Sequence, residues 1–278
     1  MGQERIIHAA LLGAGTVGSG VYKLVKDLEE EIISKTGARL VVDKILVRDT
    51  TKAREGIPSE LLIDRWDEIL NDPQIEIVIE VMGGIRPALT WLEEALRAGK
   101  QVVTANKDLL AEYGEQLFDA AEAGKCDLHF EAAVAGAIPI IRPLRQSLAA
   151  SELTEVMGIV NGTTNYILTR MTEDGMGYEE ALALATKLGY AESDPTADVE
   201  GYDAGRKVAI MASIAFNSNV TFSQVYTEGI THITAEDIRY AKEFGYVIKL
   251  IGMTRLTEGG VEVKVHPMLL PEQHPLST

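Results

Sequence analysis

Cysteine is nearly absent. Cys126 is the sole thiol in 278 residues, which excludes an intrachain disulfide and any zinc cluster built on several thiolates. A chain of this length buries enough apolar surface to fold without a covalent staple, and the lone thiol fits a reducing, cytoplasmic compartment. Long apolar runs are missing too. None approaches the roughly 20 residues that span a bilayer, and the start Met1-Gly2-Gln3-Glu4-Arg5 lacks the apolar core and cleavage site of a secretory signal. Basic residues are in deficit, 26 Lys and Arg against 42 Asp and Glu, for a formal net charge of −16. With no basic patch to offset it, that charge repels phosphate backbones and anionic lipid, so neither nucleic acid nor a membrane is an expected partner. The five histidines (His8, His129, His232, His266, His274) show no metal-ligand spacing, and the nine tyrosines form no stacking platform.

What is present is an ordinary globular composition, 46% apolar and 24% charged. At about 150 residues per domain the length predicts two domains. Strand-like runs at Ile6 to Leu12, Leu40 to Val47, Ile75 to Met82, Gln101 to Thr104 and Asp127 to Phe130 alternate with helical spacing at Val17 to Ile33, Ala88 to Ala98 and Leu109 to Ala123. Such alternation predicts an α/β fold, a mostly parallel sheet of Rossmann type covered on both faces. The rhythm changes after Glu131. A helix over Ile140 to Ala149, broken early by Pro143, is followed by a strand at Glu155 to Val160 and helices at Thr164 to Met171, Tyr178 to Leu188 and Gly201 to Phe216. Short strands at Val247 to Met253 and Val261 to Val265 complete a second, α+β domain. The expected domains are 1–135 and 136–278.

Gly13-Ala14-Gly15-Thr16-Val17-Gly18 follows the first strand and opens the first helix. Gly13 permits a tight turn, Gly15 lets a pyrophosphate approach the backbone, and Gly18 lets helix pack on strand. The N–H groups of Thr16 and Val17 at the helix start then face the phosphates. Arg48 stands at the end of the second strand, where the ribose is read. A guanidinium there suits the 2′-phosphate of NADP, while Asp49 suits the bare ribose of NAD or pairs with Arg48. NADP is favoured and NAD stays open. Thr104-Ala105-Asn106-Lys107 ends the fourth of the runs, and strand ends of an open parallel sheet face the ligand crevice. The small-residue turn from Glu131 to Pro139 offers carbonyls to a hard cation or is a close-packed turn. Between Glu192 and Lys207 lies the densest polar cluster. It is either a solvated acidic loop or, because Asp203 and Lys207 are four apart on a largely apolar helix, a carboxylate–ammonium pair delivered into a cleft.

Together these stretches resemble homoserine dehydrogenases. The resemblance rests on Leu12 to Gly18, Thr104 to Lys107 and Glu131 to Pro139. It continues through Gly158-Ile159-Val160-Asn161-Gly162-Thr163-Thr164-Asn165-Tyr166-Ile167-Leu168 and the block Glu192 to Lys207. It implies reversible, NAD(P)-dependent interconversion of L-aspartate 4-semialdehyde and L-homoserine, in the pathway to threonine, methionine and isoleucine. Carried over by position, Lys207 exchanges the proton at the substrate oxygen with Asp203 as its partner. Glu192 holds the substrate amino group with Asp198 nearby, and Lys107 lies between cofactor and substrate. Glu131 and the backbone of Val134, Gly136 and Ile138 match the family's loop for a monovalent cation such as sodium. Family members continue past the equivalent of Thr278 into a glycine-rich segment and a helix, so the chain reads as a shortened form. The alternatives are another NAD(P)-dependent amino-acid dehydrogenase and a cofactor-binding form with little turnover; an aldehyde-oxidising enzyme would need a catalytic thiol better placed than Cys126. A homodimer is expected because the small second sheet looks unable to bury both faces alone.

Overall fold

The computed structural model describes residues 5–277. The chain divides into two compact units between Gly136 and Ala137.

In the first unit the strands are β1 (Arg5–Leu12), β2 (Ala38–Leu46), β3 (Leu62–Ile63), β4 (Ile75–Glu80), β5 (Gln101–Thr104) and β6 (Leu128–His129). The helices between them are α1 (Thr16–Asp27), α2 (Glu29–Thr36), α3 (Asp67–Leu70), α4 (Ala88–Arg97) and α5 (Lys107–Gly124). The six strands pair in parallel throughout, in the order 3-2-1-4-5-6. Ala9 to Leu12 of β1 are fully buried, as a central strand between two helical layers requires. The direction of strand order reverses between β1 and β4, which opens the ligand crevice at the ends of those strands.

The single helix expected from Val17 to Ile33 is two. Leu28 leaves helical geometry (φ −107°, ψ 23°), and α2 restarts with Glu29, Glu30 and Glu31 in its first turn. Three carboxylates are disfavoured mid-helix but favoured at a helix start, where they meet exposed N–H groups. The loop from Trp66 to Ile75 is tied down by two lysines. Lys44 Nζ donates to Glu68 O (2.7 Å) and Asp72 Oδ2 (2.8 Å). The buried Lys100 donates to Asp72 O (2.7 Å) and Ile75 O (2.8 Å), and burial pulls its ammonium below the usual lysine range.

In the second unit the strands are β7 (Glu155–Gly158), β8 (Tyr226–Thr227), β9 (Tyr246–Thr257) and β10 (Gly260–Pro271). Its helices are α6 (Gly162–Asp174), α7 (Tyr178–Lys187), α8 (Thr196–Val199), α9 (Tyr202–Ala215) and α10 (Ala235–Glu243). The sheet order is 7-9-10-8, antiparallel except for β8 beside β10. Here β9 and β10 form a hairpin of twelve-residue strands, far longer than the expected runs. Pro267 and Pro271 hide the second strand from a sequence reading. The short β8 pairs only Lys264 and Val265, so beyond them β10 has one strand neighbour and tolerates proline. The helix expected over Ile140 to Ala149 widens at once into a π-type turn, Pro143–Ser147, closed by Leu148 N–H on Pro143 O. Pro143 supplies no N–H to continue a regular ladder.

The reason for expecting a dimer also needs correcting. Residues 248–254 of β9 are buried on both faces within one chain, so this strand needs no second copy to leave water.

Candidate functional site

In the first unit the crevice is shaped by glycine. Gly13 has φ +101°, closed to most side chains, and a Cβ there would press on Met82 of the neighbouring loop. A Cβ on Gly18 would lie 2.1 Å from Gly13 O, so the helix can sit on the strand only because Gly18 has none. Around Gly15 there is open space. Gly15 is the N-cap of α1 without a side-chain cap, and Thr16 and Val17 are exposed, so the first helical N–H groups face outward. An open cradle before uncapped N–H groups suits an anionic phosphate.

Arg48 stands two residues past the end of β2. It is exposed and makes no hydrogen bond or ion pair among the described residues. Asp49 does not pair with it. Its carboxylate instead accepts from Thr51 N–H (2.9 Å) and Thr51 Oγ1 (2.6 Å), which holds it below the usual carboxylate range. Arg54 braces the same loop by donating to the carbonyls of Asp49 (3.1 Å) and Lys52 (2.7 Å).

At the ends of β4 and β5 the structure assembles a circuit that sequence reasoning missed. Glu80 is fully buried. Its Oε1 accepts from the N–H groups of Met82 (2.8 Å) and Gly83 (3.0 Å), and its Oε2 from Thr104 Oγ1 (2.6 Å). Thr104 Oγ1 in turn accepts from Asn106 N–H (3.0 Å). Asn106 Nδ2 donates to Gly84 O (2.6 Å), and Asn106 Oδ1 caps α5 at Leu109 N–H (3.1 Å). The Thr104 hydroxyl is thus spent inside the protein, and Thr104 itself is buried. Lys107 is the first residue of α5, half-buried.

Glu131 lies in a 3₁₀ turn, Glu131–Ala133, and Val134 is buried. The backbone then turns left-handed at Ala135 (φ 51°) and again at Ala137 (φ 66°), on either side of Gly136. Alanine adopts this conformation at a cost of about 1–2 kcal/mol each. Ile138 is exposed and falls beyond the division between the units. Among the described residues no group of three His, Cys, Asp or Glu side chains could hold a metal ion.

The second unit brings Asp198, Asp203 and Lys207 together. Gly201 (φ +80°) reverses the chain between α8 and α9, which turns Asp198 and Asp203 toward a common neighbour. Lys207 Nζ donates to Asp203 Oδ2 (2.6 Å) and to Val160 O (2.8 Å). The two side chains keep only 18% and 11% of their exposure, so the ion pair is shielded from water. Asn161 is the shared neighbour. Its Nδ2 donates to Asp198 Oδ1 (2.7 Å) and to Asp203 Oδ2 (2.9 Å). Glu192, by contrast, is exposed and makes no hydrogen bond or ion pair among the described residues. Thr163 Oγ1 anchors the segment that carries it by donating to Tyr190 O (2.8 Å). Cys126 is spoken for. Its Sγ donates to Leu96 O (3.2 Å), and burial together with the Asp127 charge pushes the thiol up.

A glycine-cradled parallel sheet of this order, joined in one chain to an α+β unit carrying a shielded lysine–carboxylate pair, defines a Rossmann-type, dinucleotide-binding class. Comparison with known proteins narrows the class. The family profile described as "Homoserine dehydrogenase, NAD binding domain" matches residues 13–131, and that described as "Homoserine dehydrogenase" matches residues 139–278. The chain is 47% identical over 274 residues to the homoserine dehydrogenase of Bacillus subtilis, covering 98% of this chain and 63% of that protein. It is 50% identical over 281 residues to that of Mycobacterium tuberculosis, covering 99% and 64%. The crystal structure of a homoserine dehydrogenase from Thiobacillus denitrificans superposes with a TM-score of 0.93 at 44% identity, covering 99% of this chain and 64% of that one. The chain belongs to the homoserine dehydrogenase family. It spans a little under two thirds of the length of these relatives.

Proposed function

We propose that this chain catalyses the reversible, NAD(P)-dependent reduction of L-aspartate 4-semialdehyde to L-homoserine. The observation that carries the reading is the seating of Lys207. One N–H is held by Asp203 and a second by the Val160 carbonyl, which leaves the third of its protons for an acceptor outside this network. When bound, the nicotinamide supplies or takes the hydride. In the reducing direction the Lys207 ammonium gives its proton to the aldehyde oxygen; in the oxidising direction the neutral amine takes the hydroxyl proton. Asp203 fixes the direction of Nζ. Glu192 is proposed to receive the substrate ammonium, with Asp198 beside it. A zwitterionic substrate requires such an anion, and Glu192 is exposed and uncommitted.

Support for NADP over NAD comes from Arg48, a free guanidinium where the ribose is read. Lys107 is proposed to act between cofactor and substrate. Glu131 and the backbone near Val134 and Gly136 are proposed to hold a monovalent cation, supported by the strained alanines that turn this backbone. Self-association through the second unit is proposed as well. Tyr226, Leu256 and Leu269 stand exposed on its sheet, and light scattering that shows a monomer at micromolar concentration removes the idea. Among the described residues no helix is long and apolar enough to cross a membrane; with the lone thiol, this supports a cytoplasmic location. The direct test of the reaction is oxidation of NADPH and NADH with aspartate semialdehyde, run beside a cofactor-binding titration. Binding of either cofactor without turnover would refute the proposed activity.

A further inference from the structure

Asn161 is buried at the N-cap of α6. Its Oδ1 accepts from Thr164 N–H (2.9 Å) and Thr164 Oγ1 (3.0 Å). A backbone N–H can only donate, so the amide oxygen must face the helix and the NH₂ must face away from it. That NH₂ has two hydrogens, and each finds a carboxylate, one on Asp198 and one on Asp203. Two anions held this close repel unless a donor stands between them. Asp203 Oδ2 is also the atom on which Lys207 rests, and Val160, the other seat of Lys207, is the residue next to Asn161 in the chain. Every fixed contact of the lysine therefore runs through Asn161 or its immediate neighbour.

We propose that Asn161 is a positioning residue for the proton-transfer pair: its amide bridges Asp198 and Asp203 as anions and fixes the Asp203 oxygen that seats Lys207. This deepens the proposed dehydrogenase reading and rests on it for the catalytic consequence. The bridge itself is a statement about charge and can be tested without turnover.

The discriminating variant is Asn161→Asp. Asp caps a helix as well as Asn, so the bond to Thr164 and the shape are kept, while the donor facing two carboxylates becomes a third acceptor. We expect kcat for semialdehyde reduction to fall about ten- to a hundred-fold at pH 8, the scale of a misplaced reacting group, with cofactor affinity unchanged. We also expect the Tm of the variant relative to wild type to drop as pH is raised from 5 to 8. At low pH one carboxyl of the three holds a proton and donates one of the two bonds the amide made, so both kcat and Tm return part of the way toward wild type. Asn161→Ala, which loses cap and bridge together but adds no acceptor, serves as the reference for removing the side chain without adding charge. An Asn161→Asp protein with wild-type kcat and a Tm difference that does not change with pH overturns the proposal and leaves Asn161 a helix cap. If wild type itself fails to turn over the semialdehyde, the dehydrogenase reading falls, and the pH dependence of the Tm difference still decides the bridge.

Discussion

Glu80 offers the sharpest test of how the cofactor crevice is held. Its carboxylate is fully buried, has no lysine or arginine partner among the described residues, and accepts from three donors, two on the loop after β4 and one at the end of β5. Glu80→Gln keeps the shape and removes half the acceptors. If the amide oxygen serves Met82 and Gly83, the NH₂ faces Thr104 Oγ1. That hydroxyl already accepts from Asn106 N–H, and its own proton is left without a partner. Two bonds lose charge assistance and one buried donor is orphaned, a loss of about 3 kcal/mol. Against a total stability of about 5–15 kcal/mol, this is large but survivable. Glu80→Ala strands all three donors and adds a cavity, and is expected to fold poorly.

Hydrogen exchange followed through denaturant measures the effect locally. The Met82 and Gly83 amides of Glu80→Gln should exchange on the order of a hundred-fold faster than in wild type, while the amides of β9 stay unchanged. Cofactor binding should weaken too, because Met82 packs against the position where Gly13 has no side chain. If Glu80→Gln matches wild type to within about 0.5 kcal/mol at pH 7, Glu80 is not working as an ionised three-way acceptor, and the argument fails.

Lys207→Ala should lower turnover by about 10²–10⁴ with NADPH affinity intact by titration; near-normal turnover in a folded variant would return the cluster to a solvated surface. Arg48→Ala should weaken NADPH about ten- to a hundred-fold and NADH little, since only the former carries a 2′-phosphate; equal losses would make Arg48 structural. Lys44 and the Gln74 N–H hold the Asp72 carboxyl below its ordinary 3.8. Asp72 binds its proton less readily folded than unfolded, so its contribution is full above 3.8 and is lost as pH falls through the lowered value. Lys44→Met should therefore lower Tm at neutral pH, with the difference narrowing in acid to the part owed to the lost Glu68 carbonyl contact, and a Tm difference that persists unchanged at pH 2 would contradict this.

The glycine turn was legible because each glycine answers a separate steric demand, and Gly18, whose Cβ would lie 2.1 Å from a carbonyl, shows how hard that demand is. The i,i+4 spacing of Asp203 and Lys207 put the two on one helix face but left a solvated acidic loop open, and the ion pair itself is seen in the structure. The roles of Asn161 and Glu80 were not legible, since the partners that reveal them, Asp198 and Asp203 for Asn161 and Thr104 for Glu80, lie 37, 42 and 24 residues away in the chain and no local period links them. The two-residue strands β3 and β8 are too short to show any alternation. Helix α10 did carry a signal in the sequence, the capping box of Thr234 and Asp237, but it buries only Ile238 and Ala241 fully, so its apolar stripe is thin.

Glu80 and Asn161 solve opposite problems, and the residue types follow from the difference. Glu80 faces donors only, so a carboxylate, which accepts at both oxygens and donates nothing, is the side chain whose inventory matches. Asn161 faces two donors on one side and two acceptors on the other, and only a group with both an oxygen and an NH₂ satisfies each side. The isosteric exchanges therefore run in reverse: Glu80→Gln fails by adding a donor where acceptors are needed, and Asn161→Asp by adding an acceptor where donors are needed. A packing account, in which shape alone matters, expects both exchanges to be tolerated. A hydrogen-bond account expects neither to be, and expects low pH to rescue Asn161→Asp in part but not Glu80→Gln, because only the former gains a proton it can use. If both variants behaved alike across pH, polarity would not be what these two positions select.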